Sequence, residues 1–275
     1  MNNWRKYNGA LIPTTPPHIE VDLIDIEKKI QEEDAYFARW TSNFDQIEKT
    51  EFWYVICDRF IPISDLSKNT KNNTRRGLKR CRIEKVSVQY IIDHCYFVYK
   101  AAFDNYNGYL TPMTEKEFQE EYSKYTNKDI WEFWVVYEKE SEILIAYSRN
   151  KIEFNQCEFC TTKFHPKYLR KYYPSEALFY SMNEYYLSKR NFKYLNDGAR
   201  SISHETNIQS FLMQKFKFRK AFCKLNIIYS PKVKFILSII YPFKSVFSLL
   251  KFGPFVKINI LINQEVIRRS YEKRN

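Results

Sequence analysis

With 275 residues, and with 22 Phe, 22 Tyr and five Trp against only five Gly, the chain can bury a sizeable core and is too aromatic to be a disordered segment. Its length predicts one or two domains. A formal net charge of +12 points to an anionic partner, whether nucleic acid, an acidic membrane surface or a phosphorylated cofactor. The cations are spread along the whole chain, which makes a dedicated RNA-binding domain the weakest of these readings.

Residues 1–19 read as an irregular arm broken by Pro13, Pro16 and Pro17. Leu23, Ile26 and Ile30 give helical spacing within Ile19–Arg39, and Phe52–Ile56 is an apolar run of strand type. The segment from Ser67 to Cys81, SKNTKNNTRRGLKRC, opens on capping residues and is strongly basic. Arg75, Arg76 and Lys79 form either a clamp for phosphate or acceptor groups or a solvated helix face. Ile83, Val86 and Val88 predict a short strand, and Ile91, Ile92, Cys95, Val98, Tyr99 and Ala102 a helix over Gln89–Asp104. Thr114 and Glu117 form a capping box for a further helix. Two strands, Phe133–Tyr137 and Ile143–Tyr147, are joined as a hairpin by EKESE, and a third runs from Glu158 to Phe164.

The next stretch alternates helix and strand. Ser175, after Pro174, is a candidate N-cap for a helix over Glu176–Lys189, with Leu178, Met182, Tyr185 and Tyr186 on its packed face. A short strand follows at Phe192–Leu195. Thr206 and Gln209 supply a second capping box for a helix striped by Ile208, Phe211, Leu212 and Phe216, and Ala221–Tyr229 is the last strand. From Pro231 onward apolar runs are separated by lysines, and no run approaches the ~18–20 residues that span a bilayer. This tail is either a basic amphipathic segment lying in a membrane interface or a pair of docked helices. Six cysteines are scattered, with Cys157 and Cys160 the one close pair. On a strand those two point to opposite faces, so buried thiols in a reducing compartment, without a metal, are expected. The N-terminal MNNWRKYNG lacks an apolar signal core, so a cytoplasmic location is expected, with contact at the inner face of the membrane through the tail.

Taken in order, residues 81–230 read strand, helix, helix, three strands, helix, strand, helix, strand, an α/β pattern with a mixed central sheet flanked by helices. This resembles the GNAT acyltransferase fold, with NIQSFLMQKFKF (Asn207–Phe218) similar to that family's late helix. The Trp-containing strand followed by the basic SKNTKNNTRRGLKR helix resembles the Fem-type and polysaccharide-biosynthesis branch, whose members carry two GNAT-like halves. The expected organisation is an N-terminal extension over 1–80, as a truncated first half or cover, a GNAT-like domain over 81–230, and a C-terminal tail over 231–275.

The resemblance implies transfer of an acyl group from acyl-CoA, or of an aminoacyl group from charged tRNA. The acceptor would be an amine or hydroxyl of a sugar or cell-envelope precursor. The family's diphosphate loop falls at LRKYYPSEA, which has no glycine, so Arg170, Lys171, Tyr173 and Ser175 are the donor-binding candidates. The family's catalytic tyrosine falls at Met213, which cannot donate a proton. A non-catalytic GNAT-like module that binds an anionic partner is the alternative.

Direct attack on a bound carbonyl requires alignment of both partners, a base and an oxyanion site. The loop Asn196–Asn207 concentrates acid–base groups. His204 has the pKa suited to a base, Asp197 and Glu205 can serve beside it or orient it, and His165 is a further candidate. Arg200 fits an acceptor carboxylate or phosphate, or a bridge to Asp197, and Asn207 positions the loop. If His204 is the base, His204→Ala abolishes transfer with the far-ultraviolet spectrum unchanged; an unaltered turnover rate removes it from the reaction.

Overall fold

The computed structural model describes residues 4–105, 111–202, 207–250 and 253–272. The chain forms two compact units. The first comprises Met1–Val55, Ala199–Asn207 and Lys220–Asn275, and the second comprises Ile56–Gly198 and Ile208–Arg219. These groupings cross the boundaries expected at 80 and 230.

The first unit begins with a feature that the proline count obscured. β1 (Trp4–Tyr7) and β2 (Ala10–Pro13) pair antiparallel across Asn8 and Gly9, both at positive φ (49° and 77°). Asn-Gly is the dipeptide that a tight primed turn requires, and it overrides the breakers downstream. A Cβ on Gly9 would stand 2.5 Å from the Tyr36 ring, so glycine is needed there for space as well as for φ. The predicted helix is confined to α1 (Ile26–Glu32), because β3 (Phe37–Gln46) claims the end of that pattern. β2 runs parallel to β3, and β3 pairs antiparallel with β10 (Arg219–Tyr229). β4 (Trp53–Cys57) is next to β10, and the Cys223 N–H donates to the Phe52 carbonyl at 3.1 Å. Trp4, Leu11, Ile26, Ile30, Ala35 and Ala38 make one core cluster; Phe52, Cys223, Leu225 and Ile267 make another.

The second unit is an antiparallel meander of β5 (Cys81–Val86), β6 (Trp131–Glu138), β7 (Leu144–Glu153) and β8 (Gln156–Phe164). To it β9 (Tyr194–Ala199) adds in parallel. Its central strands are buried on both faces, which is why β6 reads as a nearly unbroken apolar run. Phe133, Val135 and Tyr137 pack with Ile91, Val98, Tyr99, Phe118 and Tyr122, which come from α3 (Val88–His94), α4 (Tyr96–Asp104) and α5 (Glu115–Ser123). The single helix predicted over Gln89–Asp104 is thus two, meeting at the fully buried Cys95. The Thr114–Glu117 capping box forms, with the Thr114 N–H donating to Glu117 Oε2 at 2.7 Å.

On the opposite side Trp134 meets Tyr186, as the period of two demands. Tyr186 follows α7 (Pro174–Asn183) in a π-helical turn, Glu184–Lys189, where the Arg190 N–H reaches back five residues to the Tyr185 carbonyl. The wider turn buries Leu178, Met182 and Tyr186 and leaves Tyr185 half-buried. The predicted cap at Ser175 is displaced: Pro174 takes the first helical position, where its missing N–H costs nothing, and Tyr173 turns left-handed at φ 54°. Ser175 donates instead to Glu176 Oε2 at 2.8 Å.

α2 (Lys68–Arg80), capped by Ser67, buries Thr70, Thr74 and Gly77. A Cβ at Gly77 would lie 2.6 Å from the Tyr173 carbonyl and 3.0 Å from the Ala177 Cβ. Gly77→Ala therefore lowers stability by about 1–3 kcal/mol through overpacking, despite alanine's better helix propensity. Urea denaturation measures this, and an unchanged or raised midpoint would show that α2 does not press on α7 at that point.

Candidate active site

The site is built from the way β8 and β9 separate. Their ladder has three residue pairs, Gln156 with Tyr194, Cys157 with Leu195 and Glu158 with Asn196. Past those pairs both strands continue, β8 to Phe164 and β9 to Ala199, without register partners in each other. A parallel pair that ends early leaves main-chain donors and acceptors of both strands facing a gap. β8 is also distorted at this point. Arg149 pairs with Thr161 and Asn150 with Phe159, so Cys160 is an extra residue opposite β7. Such a bulge re-aims the backbone, here two residues beyond the last pair with β9.

Asp197 is the first β9 residue past the ladder. Burial, reinforced by the nearby Glu158 carboxylate, pushes its carboxyl up to about 7 from 3.8. Its Oδ2 is buried and has no hydrogen-bond partner among the described residues. The surrounding backbone is held firmly: Asn196 Oδ1 accepts from the Gly198 N–H at 2.9 Å, and Gly198 adopts φ 90°. The Gln209 amide, from α8 (Asn207–Phe216), donates to the carbonyls of Asp197 and Gly198 at 3.5 and 3.4 Å. A buried acid with a neutral-range pKa beside unpaired strand edges can hold or accept a proton near physiological pH.

The strands that carry the fork are tied together from behind. The Tyr186 hydroxyl accepts from Trp134 Nε1 at 2.8 Å and Asn150 Nδ2 at 3.3 Å, and donates to Glu132 Oε2 at 2.8 Å. Glu132 is held in turn by Arg190 at 2.6 Å and Lys85 at 3.0 Å. Ser148 links Asn150 Oδ1 at 2.8 Å to the Thr162 hydroxyl of β8 at 3.1 Å.

Past β8, the chain enters α6 (Leu169–Tyr172) and then α7. Of the donor-binding candidates, Arg170 and Lys171 are exposed on α6, and Tyr173 and Ser175 are half-buried around the start of α7. The position where an external anion would meet that helix N-terminus is supplied by the chain itself. Glu176 is buried in the first turn, receiving Ser175 Oγ at 2.8 Å and Asn73 Nδ2 at 3.4 Å. Its carboxylate already answers the positive end of the helix dipole, and Pro174 offers no N–H. A bound diphosphate would meet like charge there.

Arg75 and Arg76 are exposed on α2 with Lys68, Lys79 and Arg80, on the side away from Thr70, Thr74 and Gly77. Arg80 Nη1 donates to the Lys171 carbonyl at 2.5 Å, joining this basic face to α6. Arg75, Arg76 and Lys79 have no ion-pair partner among the described residues. His165, at the end of β8, accepts the Lys167 N–H on Nδ1 at 3.3 Å, and burial and Lys167 lower its pKa. His204 and Glu205 lie outside the described residues. Arg200 belongs to the first unit, where it bridges Glu51 at 3.1 Å and stacks over Trp53 at 4.6 Å instead of pairing with Asp197. Asn207 is exposed at the start of α8, and Met213 is half-buried within it.

Sequence reasoning missed Glu158 and Glu176. Glu176 comes one residue after the expected cap, where an acid in a first helical turn carries no distinguishing signal. Glu158 opened a strand, and only knowing where the β8–β9 ladder stops makes it a neighbour of Asp197. The bulge at Cys160 had no residue-level signal, since it carries no Gly or Pro.

No protein-family model matches the sequence, and no curated protein matches it. Solved structures do. FemX superposes over 86% of this chain and 85% of its own, with a TM-score of 0.60 at 9% identity. The C-terminal domain of a putative lysylphosphatidylglycerol synthetase from Agrobacterium fabrum covers 86% of this chain and 83% of its own, with a TM-score of 0.52 at 10% identity. The fold expected from the order of elements is therefore the fold present: this chain shares the mixed α/β architecture of FemX and of that synthetase domain.

Proposed function

We propose that this protein is an acyl- or aminoacyltransferase that acts by direct attack on the carbonyl of a bound donor. The observation that carries this reading is the β8–β9 fork with Asp197 at its apex. The acceptor is an amine or hydroxyl of a sugar or cell-envelope precursor, met at the inner face of the membrane. The similarity to a domain named for lysylphosphatidylglycerol synthesis supports an envelope acceptor.

In the reaction, an acceptor amine or hydroxyl attacks the donor carbonyl carbon. Asp197, as carboxylate, takes the proton it loses. N–H groups of β8 beyond Glu158 stabilise the oxyanion, and the bulge at Cys160 sets their direction. The tetrahedral intermediate then collapses, the bond from the carbonyl carbon to the donor oxygen or sulfur breaks, and the leaving atom takes the proton back from Asp197, which returns to the carboxylate. No covalent enzyme intermediate is needed.

Between the two donors, we favour charged tRNA over acyl-CoA. Glu176 at the α7 N-terminus disfavours a diphosphate there. The exposed cations of α2, together with Arg170 and Lys171, suit a longer phosphate backbone.

Asp197→Asn tests the base. Transfer falls roughly 10²–10⁴-fold, and the wild-type rate rises with pH to a plateau with an apparent pKa near 7. The same substitution has an independent signature in stability. The folded state keeps a proton on Asp197 that the unfolded chain loses above 3.8, so stability declines as pH rises from about 4 to about 7. The slope is about 1.4 kcal/mol per pH unit, and the asparagine variant lacks it. A variant with full activity would remove Asp197 from the reaction. Thermal-shift measurements separate the donors: charged tRNA raises the melting temperature and acyl-CoA does not. Stabilisation by acyl-CoA would reverse the donor choice, and no shift with either would favour a non-catalytic binding module.

A further inference from the structure

The first unit ends in three helices, α9 (Pro231–Ile240), α10 (Lys244–Phe247) and α11 (Pro254–Glu272). α9 is anchored by the buried Val233 and Leu237. The side chains on its other side are also apolar. Phe235 is 67% exposed, Ile239 53%, Phe243 59%, Val246 58% and Leu249 79%, and Ile236 lies among them at 47%. Ile236 and Ile239 lie three residues apart on α9, and Phe243, Val246 and Leu249 continue the exposed apolar series through the turn after it and past α10, at positions that ordinary surface helices give to polar groups.

The charge of this segment is equally one-sided. From Pro231 to Gln264 there are five lysines and no Asp or Glu. Lys232, Lys234 and Lys244 are exposed in the same segment. No helix among the described residues is long and apolar enough to cross a membrane. Large exposed apolar groups, flanking cations and missing carboxylates together match one surface, an interface of acyl chains beneath anionic headgroups. A protein groove could accept the apolar groups, but it gives no reason for thirty-odd residues without an acid.

We propose that the segment Pro231–Leu250 is a docking surface for anionic lipid. Its phenylalanine, isoleucine and leucine side chains enter the acyl-chain boundary, and Lys232, Lys234 and Lys244 meet the headgroup phosphates. The proposal rests on the membrane-face part of the function above and not on acyl transfer itself. The apolar contribution scales with buried area and the lysine contribution weakens with salt, so the two separate experimentally.

The test is cosedimentation of the full chain with phosphatidylcholine vesicles, with and without about a third phosphatidylglycerol, a fraction chosen to give a strongly negative surface. The protein partitions onto the anionic vesicles and not the neutral ones, and added salt releases it. Phe235→Ser with Leu249→Ser lowers partitioning at least tenfold while leaving the melting temperature unchanged, because both side chains are already in water. Lys232→Glu with Lys244→Glu does the same. Equal partitioning of these variants and the wild type, or equal binding to neutral vesicles, would overturn the proposal. A concentration-dependent dimer that the Phe235/Leu249 variant abolishes, without vesicle binding, would also overturn it and assign the face to a second copy. Transfer to a soluble acceptor, assayed alongside, reports on the reaction independently of docking.

Discussion

Three residue pairs join β8 to β9, and the proposed chemistry depends on their being only three. A longer parallel ladder would pair the edges that now face the gap, and Asp197 would become an ordinary strand residue. The short ladder is sustained by contacts on either side of it rather than by its own hydrogen bonds. On β9, Asn196 and Gln209 bind the main chain around Asp197 and Gly198. On β8, the Cys160 bulge bends the strand, and Ser148 secures Thr162 from β7.

A polar network in the second unit holds this arrangement. Tyr186 uses its hydroxyl as acceptor twice and donor once, and Glu132 accepts from it and carries two cations. Fully satisfied networks of this kind specify one packing, because any shift strands a polar group out of water. Not every group is satisfied: Gln156, at the start of the ladder, has both amide atoms buried without a hydrogen-bond partner among the described residues. Glu176 represents another choice. A helix start that might attract an external anion is occupied by an internal one, which makes the α2–α7 junction structural and moves the accessible positive charge to the outer side of α2.

Much of the fold could be read from the sequence because its signals were local and repeated. The capping box at Thr114, the cap at Ser67, the apolar run of β6 and the stripe of α8 follow from residue types at fixed spacing. Where longer-range geometry decided, the reading slipped. Asn8-Gly9 is a turn signal inside a segment whose prolines suggest an irregular arm, and the helical pattern after Ile19 runs into residues that β3 needs. The candidate site was legible only as a region. Asp197 could be singled out as an acid in a polar loop, but its raised pKa comes from burial and from Glu158, thirty-nine positions away in sequence. Arg200 was chosen for its chemistry, and its choice of Glu51 over Asp197 rests on a tertiary contact without a sequence signature.

The π-helical turn at Glu184–Lys189 makes the length of this helix a quantised property. Helix side chains advance by about 100° per residue, so an insertion or deletion upstream of Tyr186 cannot be absorbed by a small shift. Removing one residue would let the turn relax to α-geometry, but it would also swing the hydroxyl away from Trp134, Asn150 and Glu132. The segment from Pro174 to Arg190 thus works as a gauge: its residue count, as much as its composition, keeps the hydroxyl aligned with the sheet.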